Sequence, residues 1–198
     1  MTAAVSASVP PVRPAASPID GSPMFWAGLV FGSMNVVQFA IRSGYAQIPG
    51  PAQGMMWMGA VATFVMAAFV LKIGSSAALR AQPEVRAFRK RWGLLILSGA
   101  GLIAVIMSVL GYLKLYDLMP VVPAPIALIV YAIGWRMAAV MSRQPVFNSL
   151  SLASLIAAAG LAALAVCAGA TWLALGYALV LFALAAAPGL VLILNNRN

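Results

Sequence analysis

The chain has 198 residues, of which 64% are hydrophobic and 8% are charged, and its formal net charge is +9. Soluble domains carry roughly 25% charged residues, so this composition excludes a water-soluble globule and predicts a membrane protein. There is no histidine, and the one cysteine is Cys167, which excludes an intrachain disulfide, a Cys/His zinc site and the usual base of a hydrolytic triad. We therefore predict no catalytic residue, no metal site and no cofactor.

An N-terminal segment rich in Ala, Pro and Ser precedes the first apolar run. Residues 1–23 have no hydrophobic period, so we predict a disordered cytoplasmic tail there. The apolar run that follows leads into SGYAQIPGP and not into an Ala-x-Ala cleavage site, which indicates a retained membrane span. Together with the short, Ala-rich chain, this favours a bacterial inner membrane as the location.

Six apolar runs are long enough to cross the roughly 30 Å hydrocarbon core of a bilayer as helices. The predicted spans are residues 24–41, 54–73, 93–113, 121–140, 149–168 and 171–194. Residues 195–198 remain as a short cytoplasmic tail. The predicted fold class is all-α, a polytopic six-transmembrane-helix bundle with both termini cytoplasmic.

A basic stretch at residues 79–92 (LRAQPEVRAFRKRW) lies between the second and third spans, and its Pro83 argues against one uninterrupted helix. Moving several cations across hydrocarbon is costly, so this stretch is predicted to stay cytoplasmic as a loop and to set the sidedness of every span. Only Arg42 and Lys114 of the 12 Lys and Arg residues then fall outside. The stretch also supplies candidate contacts for anionic lipid headgroups, namely Arg80, Arg86, Arg89, Lys90 and Arg91.

The tryptophans provide a second indication of topology that does not depend on charge. All five fall near predicted span ends, where an interfacial aromatic belt is expected. They are Trp26, Trp57, Trp92, Trp135 and Trp172.

A polar stripe on the first span is the best candidate site. Asn35 lies near the middle of the span, and Gln38 and Arg42 follow it by three and seven residues, on or near the helix face that carries Gly28 and Gly32. Two amides at membrane depth are costly without partners, so the stripe must face another helix or a wet cavity. One hypothesis is hydrogen bonding between helices; the other is a substrate-binding pathway entered from outside past Arg42.

The few acidic residues limit the choice of function. Asp20, Glu84 and Asp117 are the only acids, and none lies within a predicted span. Ion-coupled carriers usually keep a carboxylate at membrane depth, so we do not expect carboxylate-based ion coupling. The sequence favours a non-enzymatic protein that binds or transports a small or lipid-like molecule. The alternative is a non-catalytic membrane subunit or scaffold protein.

Partners follow from the distribution of charge. Basic residues flank the apolar runs and are not interleaved with aromatics, so nucleic-acid binding is not expected. The expected partners are membrane lipids, anionic ones included. Another membrane protein or a second copy of the chain is the partner that the scaffold hypothesis requires.

Overall fold

A computed structural model of the chain describes residues 19–196, which form helices and connecting turns without any strand. This confirms the all-α class. Two π-helical turns occur, Met66–Val70 at the end of α2 and Phe182–Ala186 between α6 and α7, and a 3-10 turn, Tyr116–Leu118, follows α4. The α-helices are α1 (Ser22–Arg42), α2 (Gly50–Val65), α3 (Ala77–Ala81), α4 (Pro83–Tyr112), α5 (Pro123–Ser142), α6 (Val146–Leu181) and α7 (Ala187–Asn195).

Prolines mark the starts of the long helices, where a missing N–H group costs little. Pro83 begins α4, and Gln82 before it is extended at φ −65° and ψ 132°, because a residue preceding proline avoids the helical region. The interruption expected at Pro83 is therefore present. The expected loop is not: the basic stretch is helical on both sides of Gln82, in α3 and in the first turns of α4.

The last segment, Val146–Asn195, spans 50 residues and is one of five that are long and apolar enough to cross a membrane. Gly169 interrupts it with φ 77° and ψ 179°, a conformation essentially restricted to glycine. In a straight helix, Leu161 and Gly176 would lie about 22 Å apart. A Cβ on Gly176 would instead meet Leu161 at 3.0 Å. The chain thus folds back at Gly169, and the spanning segments number five or six depending on how this one is counted.

Consecutive long helices run antiparallel, so the bundle has two ends. At one end, the Trp26 Nε1–H of α1 donates to Ile73 O after α2 at 3.1 Å, and Asn196 Nδ2 donates to Ile19 O at 3.0 Å. We call this the basic end, because it also carries the five cations of the basic stretch. The opposite end, with Arg42 and Lys114, is called the cavity end.

Two tryptophans contradict the expected interfacial belt. Trp92 and Trp135 are buried at the basic end, in a core that also contains Phe88 and Phe147. Trp92 occupies the space above Gly134, where a Cβ would lie 1.6 Å from its ring. The Nε1–H of Trp135 donates to Leu184 O inside the bundle at 3.1 Å, whereas the buried Nε1–H of Trp92 has no hydrogen-bond partner among the described residues.

The N-terminal boundary also differs from the prediction. The sequence predicts disorder up to residue 23, but α1 begins at Ser22, and Ile19 and Asp20 before it are buried. The reason is that Ile19 joins the apolar core of the basic end while Asp20 meets a cation there. Residues 1–18 and 197–198, where the rest of both predicted tails falls, lie outside the described part of the chain.

Candidate functional site

The three residues of the predicted stripe line one cavity at the cavity end. The cavity has a volume of ≈ 350 Å³, and we call it the α1 cavity. The structure thus brings Asn35, Gln38 and Arg42 together on one wall. The remaining lining residues are Trp57, Met107, Met119, Pro120, Pro123, Ala124, Ala170, Leu173, Ala174 and Tyr177.

The polar wall has unused hydrogen-bonding capacity. Asn35 is 8% exposed, and its Nδ2 donates to Phe31 O one turn earlier on its own helix, at 2.8 Å. Gln38 is 9% exposed, and among the described residues its side chain has no hydrogen-bond partner. Neither amide bonds to another helix in this part of the chain. Their free donors and acceptors therefore face the cavity.

Arg42 lies at the mouth of the cavity, at the last residue of α1. Its side chain is exposed and forms no ion pair with any acid of the described residues. No aspartate or glutamate lines the α1 cavity. The one charge that lines the α1 cavity is therefore positive.

Close packing of α1 holds the polar wall in place. A Cβ on Gly28 would lie 2.3 Å from Ala186 N, and one on Gly189 would lie 2.4 Å from Phe25 N. Gly32 likewise leaves space for the ring of Phe182. Only glycine permits such a close approach, so α1 packs tightly against residues 182–189, the last arm of the chain. This packing fixes the amides of α1 at one depth.

The five basic candidates do not form one surface. Arg86, Lys90 and Arg91 are exposed on α4. Arg80 is half-buried and donates to Ser75 O. Arg89 is turned inward and bonds to Asp20, so its guanidinium is engaged and not free for a lipid headgroup.

Sequence reasoning missed the buried ion pair between Asp20 and Arg89, whose side chains are 1% and 15% exposed. Arg89 Nη2 also donates to Ala68 O of the first π-helical turn at 3.1 Å, and its guanidinium lies 6.0 Å from the ring centroid of Phe69. Asp20 Oδ1 accepts from Ser22 N at 3.0 Å. One arginine thus connects α4 to the start of α1 and to the end of α2. The one available signal was an acid placed just before an apolar run.

No group of three or more His, Cys, Asp or Glu side chains suited to a metal ion occurs within residues 19–196. Cys167 is exposed on the outside of the bundle, near the Gly169 turn. The α1 cavity therefore offers a ligand hydrogen-bonding groups, one positive charge and apolar contacts.

These features define an all-helical, multi-pass membrane protein with a polar-walled cavity near one end of its bundle. No family model, no curated protein and no solved structure matches the chain. The properties of the cavity itself must therefore carry any inference about function.

Proposed function

We propose that this protein binds or transports a small or lipid-like molecule in the α1 cavity, without carboxylate-based ion coupling. The observation that supports the proposal is that Asn35, Gln38 and Arg42 share the wall of one cavity of ≈ 350 Å³. Amides at membrane depth are costly unless they meet a partner or water. Here they turn toward open space, which suits a ligand site better than contacts that only hold helices together.

We also propose six spans in a bacterial inner membrane, with both termini cytoplasmic. The support is the uneven charge: the basic stretch lies at one end of the bundle, and the other end carries Arg42 and Lys114. Cationic segments are retained on the cytoplasmic side. On this assignment the α1 cavity opens toward the outer face.

Cysteine labelling tests whether the cavity is wet and to which side it opens. In a Cys167→Ala background, Asn35→Cys is treated in intact cells with a membrane-impermeant maleimide. Maleimides react with the thiolate, which forms in water and not in hydrocarbon, so we expect labelling from outside. The matched control is Ser33→Cys, two residues away on the exposed face of the same helix, which we expect to stay unlabelled.

Each result has a defined meaning. Labelling of Asn35→Cys no faster than that of Ser33→Cys would overturn the proposed binding site. Labelling only in inverted vesicles would keep the site but reverse the proposed sidedness.

The alternative function, a non-catalytic subunit or scaffold, is favoured by one observation on α4. This helix packs along its spanning length only against α5, and it exposes a ridge of small residues, Ala100, Ala104 and Ser108, to the surroundings. Small residues allow another helix to approach closely. Labelling of Asn35→Cys no faster than that of Ser33→Cys would favour this alternative.

Contact with anionic lipids remains a proposal for the basic end. It is supported by the exposure of Arg86, Lys90 and Arg91 on successive turns of α4. Each such cation near an anionic surface contributes about 1 kcal/mol. Equal retention of the protein by anionic and uncharged vesicles would contradict it.

A further inference from the structure

We call the gap between α2 and α4 the α2–α4 seam. Hydrogen bonds bridge this seam at the basic end only. Helix α2 packs against α1, and α4 packs against α5, but α2 and α4 do not pack against each other. At the basic end Arg89 of α4 crosses the seam to Asp20 and to Ala68 O. At the cavity end, Trp57 of α2 and Met107 of α4 line the cavity from its two sides. Between Trp57 and Met107, the α1 cavity is therefore not sealed by packing of α2 against α4.

The walls of the cavity divide by polarity. Asn35, Gln38 and Arg42 follow α1 over seven residues, about 10 Å, and form a polar strip that ends in a cation. The seam side, with Trp57 and Met107, presents mainly apolar surface, and Tyr177 elsewhere in the lining adds one hydroxyl. A ligand that satisfies both walls carries a polar group at one end and a hydrocarbon portion that reaches toward the membrane.

The charge of the ligand's polar group follows from the charged side chains that line the cavity. Arg42 has no carboxylate partner among residues 19–196, and no acid lines the cavity. Gln38 adds amide donors next to the guanidinium. Charge-assisted bonds from arginine to a carboxylate or phosphate are the strongest that this set of donors makes.

We propose that the ligand is an amphiphile with an anionic headgroup, such as a long-chain carboxylate, which enters the α1 cavity sideways between α2 and α4. Its headgroup meets Arg42 and Gln38, and its chain lies along Trp57 and Met107 toward the lipid. This inference rests on the proposed function, because it identifies the class of molecule that occupies the same cavity.

Quenching of Trp57 fluorescence tests the inference with defined probes. The full chain is reconstituted in phosphatidylcholine vesicles and titrated in alkaline buffer with 9,10-dibromostearic acid or with its methyl ester. The difference between the native chain and Trp57→Phe isolates the signal of Trp57. The ester controls for simple partition of a brominated chain into the bilayer. We expect saturable quenching by the acid at a concentration at least about tenfold below that required for the ester.

Variants at the mouth of the cavity identify the side chain that binds the anionic headgroup. Arg42→Gln should reduce the preference for the acid about tenfold, whereas Arg42→Lys should retain most of it. Lys114→Gln removes a cation at the same end but outside the cavity lining, and should change nothing. All of these side chains are exposed, so the substitutions should leave the fold intact.

Three results would overturn the inference, and they differ in whether the proposed binding site itself is retained. Equal quenching by acid and ester would refute the anionic headgroup and leave the binding site in place. Competition by acetate as strong as by the long-chain acid would show that a soluble anion is the ligand. Absence of saturable quenching by either probe would overturn a lipid-like ligand altogether, and the proposed function with it if Asn35→Cys also remained unlabelled.

Discussion

At the basic end, side chains from α1, α4, α5, α6 and α7 fill the space between the helices, whereas at the cavity end α1, α2, α4, α5 and α6 leave ≈ 350 Å³ open. The packed end contains a buried ion pair and two buried tryptophans. The open end contains two amides and an arginine that bond to no neighbouring helix in the described residues. The difference indicates that the Asp20–Arg89 ion pair and the Trp135 hydrogen bond hold the basic end together, while the polar groups of the cavity end turn toward open space.

Removing one member of the ion pair is expected to have the largest effect on stability. Arg89→Gln leaves the carboxylate of Asp20 buried without a cation, which should lower the free energy of unfolding by about 3–5 kcal/mol. Thermal unfolding of the purified protein in detergent measures the change. The control is Arg86→Gln, an exposed cation one turn earlier on α4, which should shift the midpoint little. Equal shifts for the two variants would show that the buried ion pair stabilises the basic end no more than an exposed cation does.

An added methyl group at Gly134 should have a smaller but clear effect. A Cβ there would lie 1.6 Å from the ring of Trp92, so Gly134→Ala must displace the ring, at a cost of about 1–3 kcal/mol. Gly160→Ala is the matched control, because a Cβ at this helical position meets no neighbour. The control should stabilise α6 by up to about 1 kcal/mol. The same unfolding assay should therefore give shifts of opposite sign for the two variants.

The smallest effect on stability is expected at the polar wall of the α1 cavity. Asn35→Leu combined with Gln38→Leu removes no hydrogen bond between helices, so the free energy of unfolding should change by less than about 1 kcal/mol. Quenching of Trp57 by the brominated acid should nevertheless be lost or weakened. If this double variant were as unstable as Arg89→Gln, the amides would be structural, and the contrast between the ends would fail.

Much of the architecture could be predicted from composition alone, because apolar runs of sufficient length have few other structures available. Predicted spans 24–41 and 121–140 lie within two residues of α1 and α5 at each end. The polar stripe was also found, since a spacing of three and four residues places side chains on one helix face whatever that helix packs against.

The basic end could not be predicted, because its contacts join residues far apart in the chain. Asp20 and Arg89 are 69 positions apart, and nothing local shows that the segment before α1 folds over α4. The burial of Trp92 depends similarly on Gly134 of another helix leaving space for its ring. A tryptophan near a span end fits the interface and the core equally well, until the neighbouring helix is known.

The glycine contacts of α1 bear on how the protein is made. Helix α1 packs mainly against the last arm of the chain, through Gly28 on Ala186 and Gly189 on Phe25. At ordinary rates of translation, residues 170–195 leave the ribosome on the order of ten seconds after α1. During that interval α1 lacks the glycine contacts that later hold it in the bundle. Helix α1 therefore reaches its packed position only after residues 182–189 have been synthesised and inserted.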